Sequence, residues 1–155
     1  MNITRIKMEE IMKQVMQEVD IAIKEGNSPF GAFLLDDNGR ILFKAHNTAN
    51  TDIDPTAHAE INLIRKACKK QQTKDLSNYI LISNAWSCSM CMSASIKAKI
   101  SNYIFGAKSE FGMNPNVTIF DIQNKTKNKL NITTGILEKE CTKQIENFRN
   151  NKNNI

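Results

Sequence analysis

The stretch from residue 79 to 105 constrains the fold more than any other part of the sequence. Residues 79–82 form a short apolar run that is typical of a buried strand. A helix is predicted from Cys88 to about Ile100, and residues 103–105 form the next apolar strand. A strand, a helix and a second strand in succession predict a right-handed crossover between two parallel strands.

The segments on either side of this crossover add a hairpin and further helices. Residues 4–25 follow an amphipathic helical pattern, and Gly26 is placed to end that helix. The turn sequence at 36–39 is expected to join strands at 31–35 and 40–45 into a hairpin. The other predicted elements are a helix ending near residue 71 and capped by Asp54 or Thr56, a helix or strand at 117–122, a strand at 130–133 and a helix at 138–149.

This order of elements predicts an α/β protein with the architecture of a three-layer α/β/α sandwich around a central mixed five-stranded sheet. The chain has 155 residues, of which 41% are hydrophobic, and this suits one domain with a substantial core. We expect residues 1–149 to form that single domain and the polar residues 150–155 to be a disordered tail.

Composition narrows the class of protein. No apolar run approaches the roughly 18–20 residues of a membrane span, and the N-terminus lacks the apolar stretch of a signal peptide. We therefore predict a cytoplasmic protein with no membrane partner. In such a reducing compartment, the four cysteines are expected to bind metal, take part in catalysis or lie buried, and not to form disulfides. The net charge of +5 permits a nucleic-acid partner but is more often a solubilising surface charge.

Two short motifs carry the chemistry. His58 and Glu60 lie at the start of the second predicted helix, and Cys88 and Cys91 lie at the start of the third. One imidazole and two thiolates are good zinc ligands, and both helices follow strands of one predicted sheet, so the helix ends can converge. Three protein ligands leave a fourth position free, as in catalytic zinc sites, where the metal makes a bound water more acidic.

Two kinds of site other than a catalytic zinc site could explain these motifs. A structural zinc site would need a fourth Cys or His, but Cys68 and Cys141 are predicted on apolar helix faces as core residues, and His46 as an ordinary loop histidine. A thioredoxin-like redox protein also carries Cys-x-x-Cys between a strand and a helix. That alternative leaves His58 and Glu60 without a role.

His-x-Glu followed by Cys-x-x-Cys resembles the signature of the zinc-dependent nucleobase deaminases. Further segments are similar to the branch of the cytidine-deaminase superfamily that holds guanine, nucleoside and tRNA adenosine deaminases: residues 28–32, Asn47 and residues 54–60. Residues 104–107 and 135–141 resemble the tRNA deaminases, whereas Phe30 is more like the guanine and nucleoside deaminases. The resemblance covers residues 5–107 well and the remainder loosely.

The resemblance implies a cytidine-deaminase-like fold, a homodimer and a role for each matching residue. His58, Cys88 and Cys91 would bind one zinc ion per chain. Glu60 would take a proton from water and pass protons to the base and to the leaving amine. The implied contacts to the base come from Ser28, Phe30, Asn47 and the backbone of Ala59.

The residues before the first cysteine depart from the family pattern, because Trp86 and Ser87 stand where relatives usually have Glu-Pro. We expect the Ser87 hydroxyl to cap the helix, so that zinc binding survives, and Trp86 to alter the fit of the base.

Only four of the 21 basic residues are arginine, whereas tRNA enzymes usually bring an arginine-rich face. We therefore predict ammonia release from a small-molecule nucleobase or nucleoside, with guanine-type purines favoured. The alternative is conversion of adenosine to inosine in a tRNA anticodon loop.

Overall fold

The computed structural model of the protein describes residues 2–108 and 115–152. The elements of this part are α1 (Arg5–Lys24), β1 (Gly31–Leu35), β2 (Ile41–His46), α2 (Ala59–Gln71), β3 (Ile80–Ala85), α3 (Ser89–Lys97), β4 (Asn102–Ala107), α4 (Ile119–Lys125), β5 (Asn131–Thr133) and α5 (Glu138–Lys152). Across these residues, no helix combines the length and the apolar character needed to cross a membrane.

The five strands form one mixed sheet in the order β2-β1-β3-β4-β5. β1 is antiparallel to both β2 and β3, which confirms the predicted hairpin. β3, β4 and β5 are parallel, and α3 connects β3 to β4 as the predicted crossover. The predicted mixed five-stranded sheet is therefore confirmed.

Helices cover both faces of the sheet. β1 is buried on both sides, so its residues alternate between two cores: Phe33 and Leu35 face one core, and Ala32 and Leu34 face the other. α1 and α5 contribute to the first core, and α2, α3 and α4 contribute to the second. The protein is thus the predicted three-layer α/β/α sandwich.

The end of α1 was predicted correctly, whereas the predicted cap at the start of α2 is wrong. Gly26 has a positive φ of 84° and follows the end of α1, as predicted. Neither Asp54 nor Thr56 caps α2, because the helix begins at Ala59 with His58 as its N-cap. The Asp54 carboxylate instead accepts hydrogen bonds from the amide and hydroxyl of Thr56, which forms a turn before the helix.

Two helices end at other residues than predicted. α3 stops at Lys97, about three residues early, because Lys99 adopts a left-handed φ of 66°. The amide of Ile100 then bonds back to the carbonyl of Ser95, which closes the helix end. α5 runs through Lys152, three residues into the predicted tail, and the last residues of that tail lie outside the described part.

The segment at 117–122, which fitted a helix or a strand, contains the start of α4. Thr118 caps this helix by accepting a hydrogen bond from the amide of Asp121, and the Asp121 carboxylate accepts one from the amide of Thr118. This reciprocal capping box stabilises the first turn of the short α4 and favours the helical conformation.

Candidate active site

Three potential metal ligands converge at the N-termini of two helices. His58 is the N-cap of α2, Cys88 is the N-cap of α3, and Cys91 lies in the first turn of α3. The Nδ1 atom of His58 lies 3.6 Å from the Cys88 sulfur and 3.5 Å from the Cys91 sulfur. All three donor atoms lie within 4.8 Å of one another, so the predicted convergence of the two helix ends is confirmed.

The spacing of these donors fits zinc. A tetrahedral ion with Zn–S near 2.3 Å and Zn–N near 2.05 Å requires a nitrogen-to-sulfur separation of about 3.6 Å. The two observed separations, 3.6 and 3.5 Å, match this requirement. In the described residues, His58, Cys88 and Cys91 are the one group of three or more His, Cys, Asp or Glu side chains that could hold an ion. The site can therefore bind zinc through three ligands and keep a position open.

The donors are strongly coupled to one another. A hydrogen bond with Cys91 and another with His58 lower the pKa of the Cys88 thiol to about 4 despite its burial. The Cys88 sulfur in turn raises the pKa of the Cys91 thiol, and its hydrogen bond raises the pKa of His58. The contacts thus favour a negative charge on the Cys88 sulfur, where a zinc cation would neutralise it.

Glu60 lies in the first turn of α2, two residues beyond the donor His58, and only 6% of its surface is exposed. Burial raises the pKa of its carboxyl group above the ordinary value. The Ser87 hydroxyl donates a hydrogen bond of 2.5 Å to Oε1 of Glu60. The prediction that Ser87 caps α3 is wrong, because the N-cap of α3 is Cys88 and no side-chain hydrogen bond caps the helix there.

The residues expected to contact the base lie on segments that meet beside α2. The amide of Asn47 bonds to the carbonyl of Phe30, and the amide of Thr48 bonds to the carbonyl of Ala57. Asn47 and Ala59 are buried. Ser28 and Phe30 are half-buried. The structure therefore brings the Asn47 and Phe30 segments together next to the start of α2.

Asn84 is a site-supporting residue that the sequence did not reveal. It is fully buried on β3, its Oδ1 accepts from the amide of Gly31, and its Nδ2 donates to the carbonyl of Pro29, both at 3.0 Å. These bonds hold the loop that carries Ser28 and Phe30 against the central strand. Because the partners lie more than 50 residues away in the sequence, no local pattern points to them.

Trp86 packs against α4. Its ring meets the ring of Phe120 edge-on at a centroid distance of 5.3 Å, and the Lys108 ammonium lies 5.8 Å from its centroid. The bulky residue at this departure from the family pattern thus fills the space between the end of β3 and α4. The predicted core residue Cys141 is fully buried, and Cys68 is half-buried.

His46 is more than the ordinary loop histidine that the sequence suggested. It ends β2, with Nδ1 2.7 Å from a Glu18 carboxylate oxygen and Nε2 2.8 Å from a Glu25 oxygen. Its backbone carbonyl also accepts a hydrogen bond from Asn62 on α2. His46 therefore ties the strand that precedes Asn47 to both α1 and α2.

Known proteins share this arrangement. The family model described as the cytidine and deoxycytidylate deaminase zinc-binding region matches residues 5–107. A tRNA-specific adenosine deaminase of Haemophilus influenzae is 32% identical over 143 residues, which cover 90% of this chain and 82% of the relative. A guanine deaminase of Bacillus subtilis is 39% identical over 80 residues, which cover 52% of this chain and 51% of the relative.

A solved structure is also similar to this chain. It comes from a study of A-to-I editing by tRNA:A34 deaminases at the wobble position of transfer RNA, and it matches with a TM-score of 0.77 and 27% identity. The match covers 86% of this chain and 96% of that structure. The convergence of His58 on both sulfurs and these relatives favour zinc chemistry over the thioredoxin-like alternative. The chain belongs to the cytidine and deoxycytidylate deaminase zinc-binding family and is a zinc-dependent hydrolytic deaminase.

Proposed function

We propose that this deaminase converts adenosine to inosine in the anticodon loop of a tRNA, with a free guanine-type base as the second candidate. The extent of the sequence alignments carries the proposal. The tRNA-specific adenosine deaminase aligns over 90% of the chain, whereas the guanine deaminase aligns over 52%. The sequence-based preference for a guanine-type substrate is therefore less well supported than its alternative.

The C-terminal elements support this choice. Residues 104–107 and 135–141, which resemble tRNA deaminases in sequence, pack directly against each other. The amide of Ile136 bonds to the carbonyl of Phe105, and a Cβ atom added at Gly106 would lie 2.7 Å from the Cys141 sulfur. The segment at 135–141 therefore packs against the end of β4.

The reaction exchanges the amino group of the base for an oxygen from water. His58, Cys88 and Cys91 would hold the zinc ion, whose Lewis acidity would make water a nucleophile near neutral pH. Glu60 accepts the proton that the water loses as its oxygen bonds to the amino-bearing carbon. Glu60 delivers this proton to the ring nitrogen. It then takes the second proton from the hydroxyl now bonded to the carbon and passes it to the departing nitrogen, so the carbon–nitrogen bond breaks and ammonia leaves.

The remaining site residues hold the base. Asn47 offers an amide side chain and Ala59 offers backbone groups, both from buried positions next to the zinc ligands in the fold. Ser28 and Phe30 lie on the loop that Asn84 fixes to β3. We assign the aromatic face of Phe30 to packing against the base and the polar groups to its hydrogen-bonding edge.

The test is ammonia release from a substrate panel. Zinc-loaded protein is incubated with an anticodon stem-loop RNA, guanine, cytosine, adenine and their nucleosides. We expect release from the RNA, and none when its anticodon-loop adenosine is replaced by guanosine. Release from guanine with none from RNA would move the assignment to the second candidate, and release from no compound would contradict the proposal.

The homodimer that the resemblance implies remains a prediction about assembly. A light-scattering mass equal to twice the chain mass would support it. A mass equal to one chain at the concentrations used in the activity assay would contradict it.

A further inference from the structure

We propose that Ser87 is a positioning residue that holds the carboxylate of Glu60 in the orientation needed for proton transfer. The proposal rests on the deaminase activity assigned to this site, and it does not depend on which base the enzyme uses. The hydrogen bond from Ser87 to Glu60 joins two residues 27 positions apart in the sequence.

The geometry of the contact is that of a strong hydrogen bond. The Oγ-to-Oε1 distance is 2.5 Å, and charge-assisted bonds between a hydroxyl and a carboxylate are typically about 2.5–2.7 Å long. Ser87 is 2% exposed and Glu60 is 6% exposed. Water therefore has little access to compete for either group, so the hydrogen bond keeps the strength that a low-dielectric interior gives it.

The position of the contact gives it a consequence for catalysis. Glu60 follows the donor His58 by two residues in α2, and Ser87 directly precedes the donor Cys88 of α3. The bond thus ties the carboxylate to both helix ends that carry the metal ligands. It fixes one carboxylate oxygen, which leaves Oε2 to exchange protons with the substrate.

Without this bond the carboxylate would keep only its contacts with its own backbone amide and with the Cys91 side chain. The terminal torsion of a glutamate has a broad preference, so a free carboxylate rotates over a wide range. Misplacing a reacting group by about 1 Å can lower a rate by about a hundredfold. A serine hydroxyl has one proton, and in this structure Ser87 donates that proton to Glu60.

The activity test compares three substitutions of Ser87 under steady-state conditions. Ser87→Ala removes the hydroxyl, Ser87→Pro introduces the residue usual in relatives, and Ser87→Thr keeps the hydroxyl. We expect kcat to fall about tenfold or more in Ser87→Ala and Ser87→Pro, with KM within about twofold and zinc content unchanged. Ser87→Thr should recover kcat to within about threefold of wild type.

The matched control is Ser95→Ala. Ser95 is also a buried serine, but its hydroxyl bonds to the Met92 carbonyl and the Tyr103 hydroxyl and not to Glu60. Its loss should lower stability and leave kcat unchanged. The proposal is overturned if Ser87→Ala keeps wild-type kcat, if KM rather than kcat changes, or if zinc content falls in parallel with kcat.

A second measurement needs neither zinc nor substrate. Urea unfolding of metal-free protein is compared for wild type, Ser87→Ala, Glu60→Ala and the double variant. We expect Ser87→Ala to raise the unfolding constant about tenfold more in the wild-type background than in the Glu60→Ala background. Equal effects in both backgrounds would overturn the proposal. If the wild type is inactive on every substrate, that result counts against the proposed function. The comparison of the four variants in urea still decides whether the hydrogen bond between Ser87 and Glu60 exists.

Discussion

Replacing Asn84 by alanine should destabilise the protein by about 2–6 kcal/mol and weaken substrate binding. The side chain makes two 3.0 Å hydrogen bonds to backbone groups, accepting from the Gly31 amide and donating to the Pro29 carbonyl. Alanine leaves both backbone groups buried without a partner, and each such group costs about 1–3 kcal/mol. Total stability of a domain is about 5–15 kcal/mol, so the loss is large enough to measure.

The assay is urea unfolding of metal-free protein, because bound zinc would add its own stabilisation to the native state. Asn84→Asp keeps the acceptor for Gly31 but places an oxygen against the Pro29 carbonyl, so it should destabilise at least as much. Asn131→Ala is the matched control, since Asn131 is exposed and its side chain bonds to the Asn102 side chain. We expect less than about 0.5 kcal/mol from it.

The loop that Asn84 holds carries Ser28 and Phe30, so KM should rise in a stable preparation of the Asn84→Ala variant. A stability within about 0.5 kcal/mol of wild type would refute the reasoning that these two bonds anchor the loop. So would a destabilised variant whose KM is unchanged, because the loop would then keep its place without them.

Three further changes test other parts of the structure. Cys88→Ala removes one of the three ligands, so elemental analysis should find zinc well below the roughly one ion per chain expected of the wild type. Gly106→Ala places a Cβ 2.6 Å from the Asn84 carbonyl oxygen and should cost about 1–3 kcal/mol in urea unfolding; an unchanged midpoint would argue against this close approach. Burial lowers the pKa of His46, but the hydrogen bonds to its two glutamates outweigh burial and raise it. These bonds contribute their whole stabilisation below the unfolded pKa of about 6.5, and the stabilisation is lost as pH rises through the folded pKa. His46→Gln should therefore lower the free energy of unfolding by about 1 kcal/mol at pH ~6 and by less at pH ~9. A cost that does not change with pH would contradict this.

The sequence predicted the metal donors well because their spacing is local. Cys88 and Cys91 lie within one turn of one helix, and His58 begins another, so the motif and the order of elements were enough to place them together. The turn at Asp36 was also predictable, because its carboxylate bonds to amides within four residues.

The supporting contacts could not be predicted because they are not local. Ser87 has a position suited to helix capping, and only the approach of α2 to α3 brings it to Glu60 instead. His46 gains its two glutamates from α1, 21 and 28 residues away in the sequence. One local signal was missed, since Thr118 and Asp121 have the spacing of a capping box and identify α4 as a helix.

The substrate assignment shifted for a related reason. Phe30 and the low arginine content favoured a small guanine-type base, but one is a single residue and the other is a property of composition alone. The sequence similarity to a tRNA-specific adenosine deaminase extends over 90% of the chain. Sequence similarity spread over most of the chain outweighs one side chain.

The most direct test is the inosine content of tRNA after incubation with zinc-loaded protein, measured by mass spectrometry of the digested nucleosides. Wild type should convert one adenosine of the anticodon loop to inosine. Glu60→Ala should retain zinc and lose about a hundredfold or more of that rate, because the proton carrier is gone. Inosine formation at an undiminished rate by Glu60→Ala, or none by the wild type, would contradict the account.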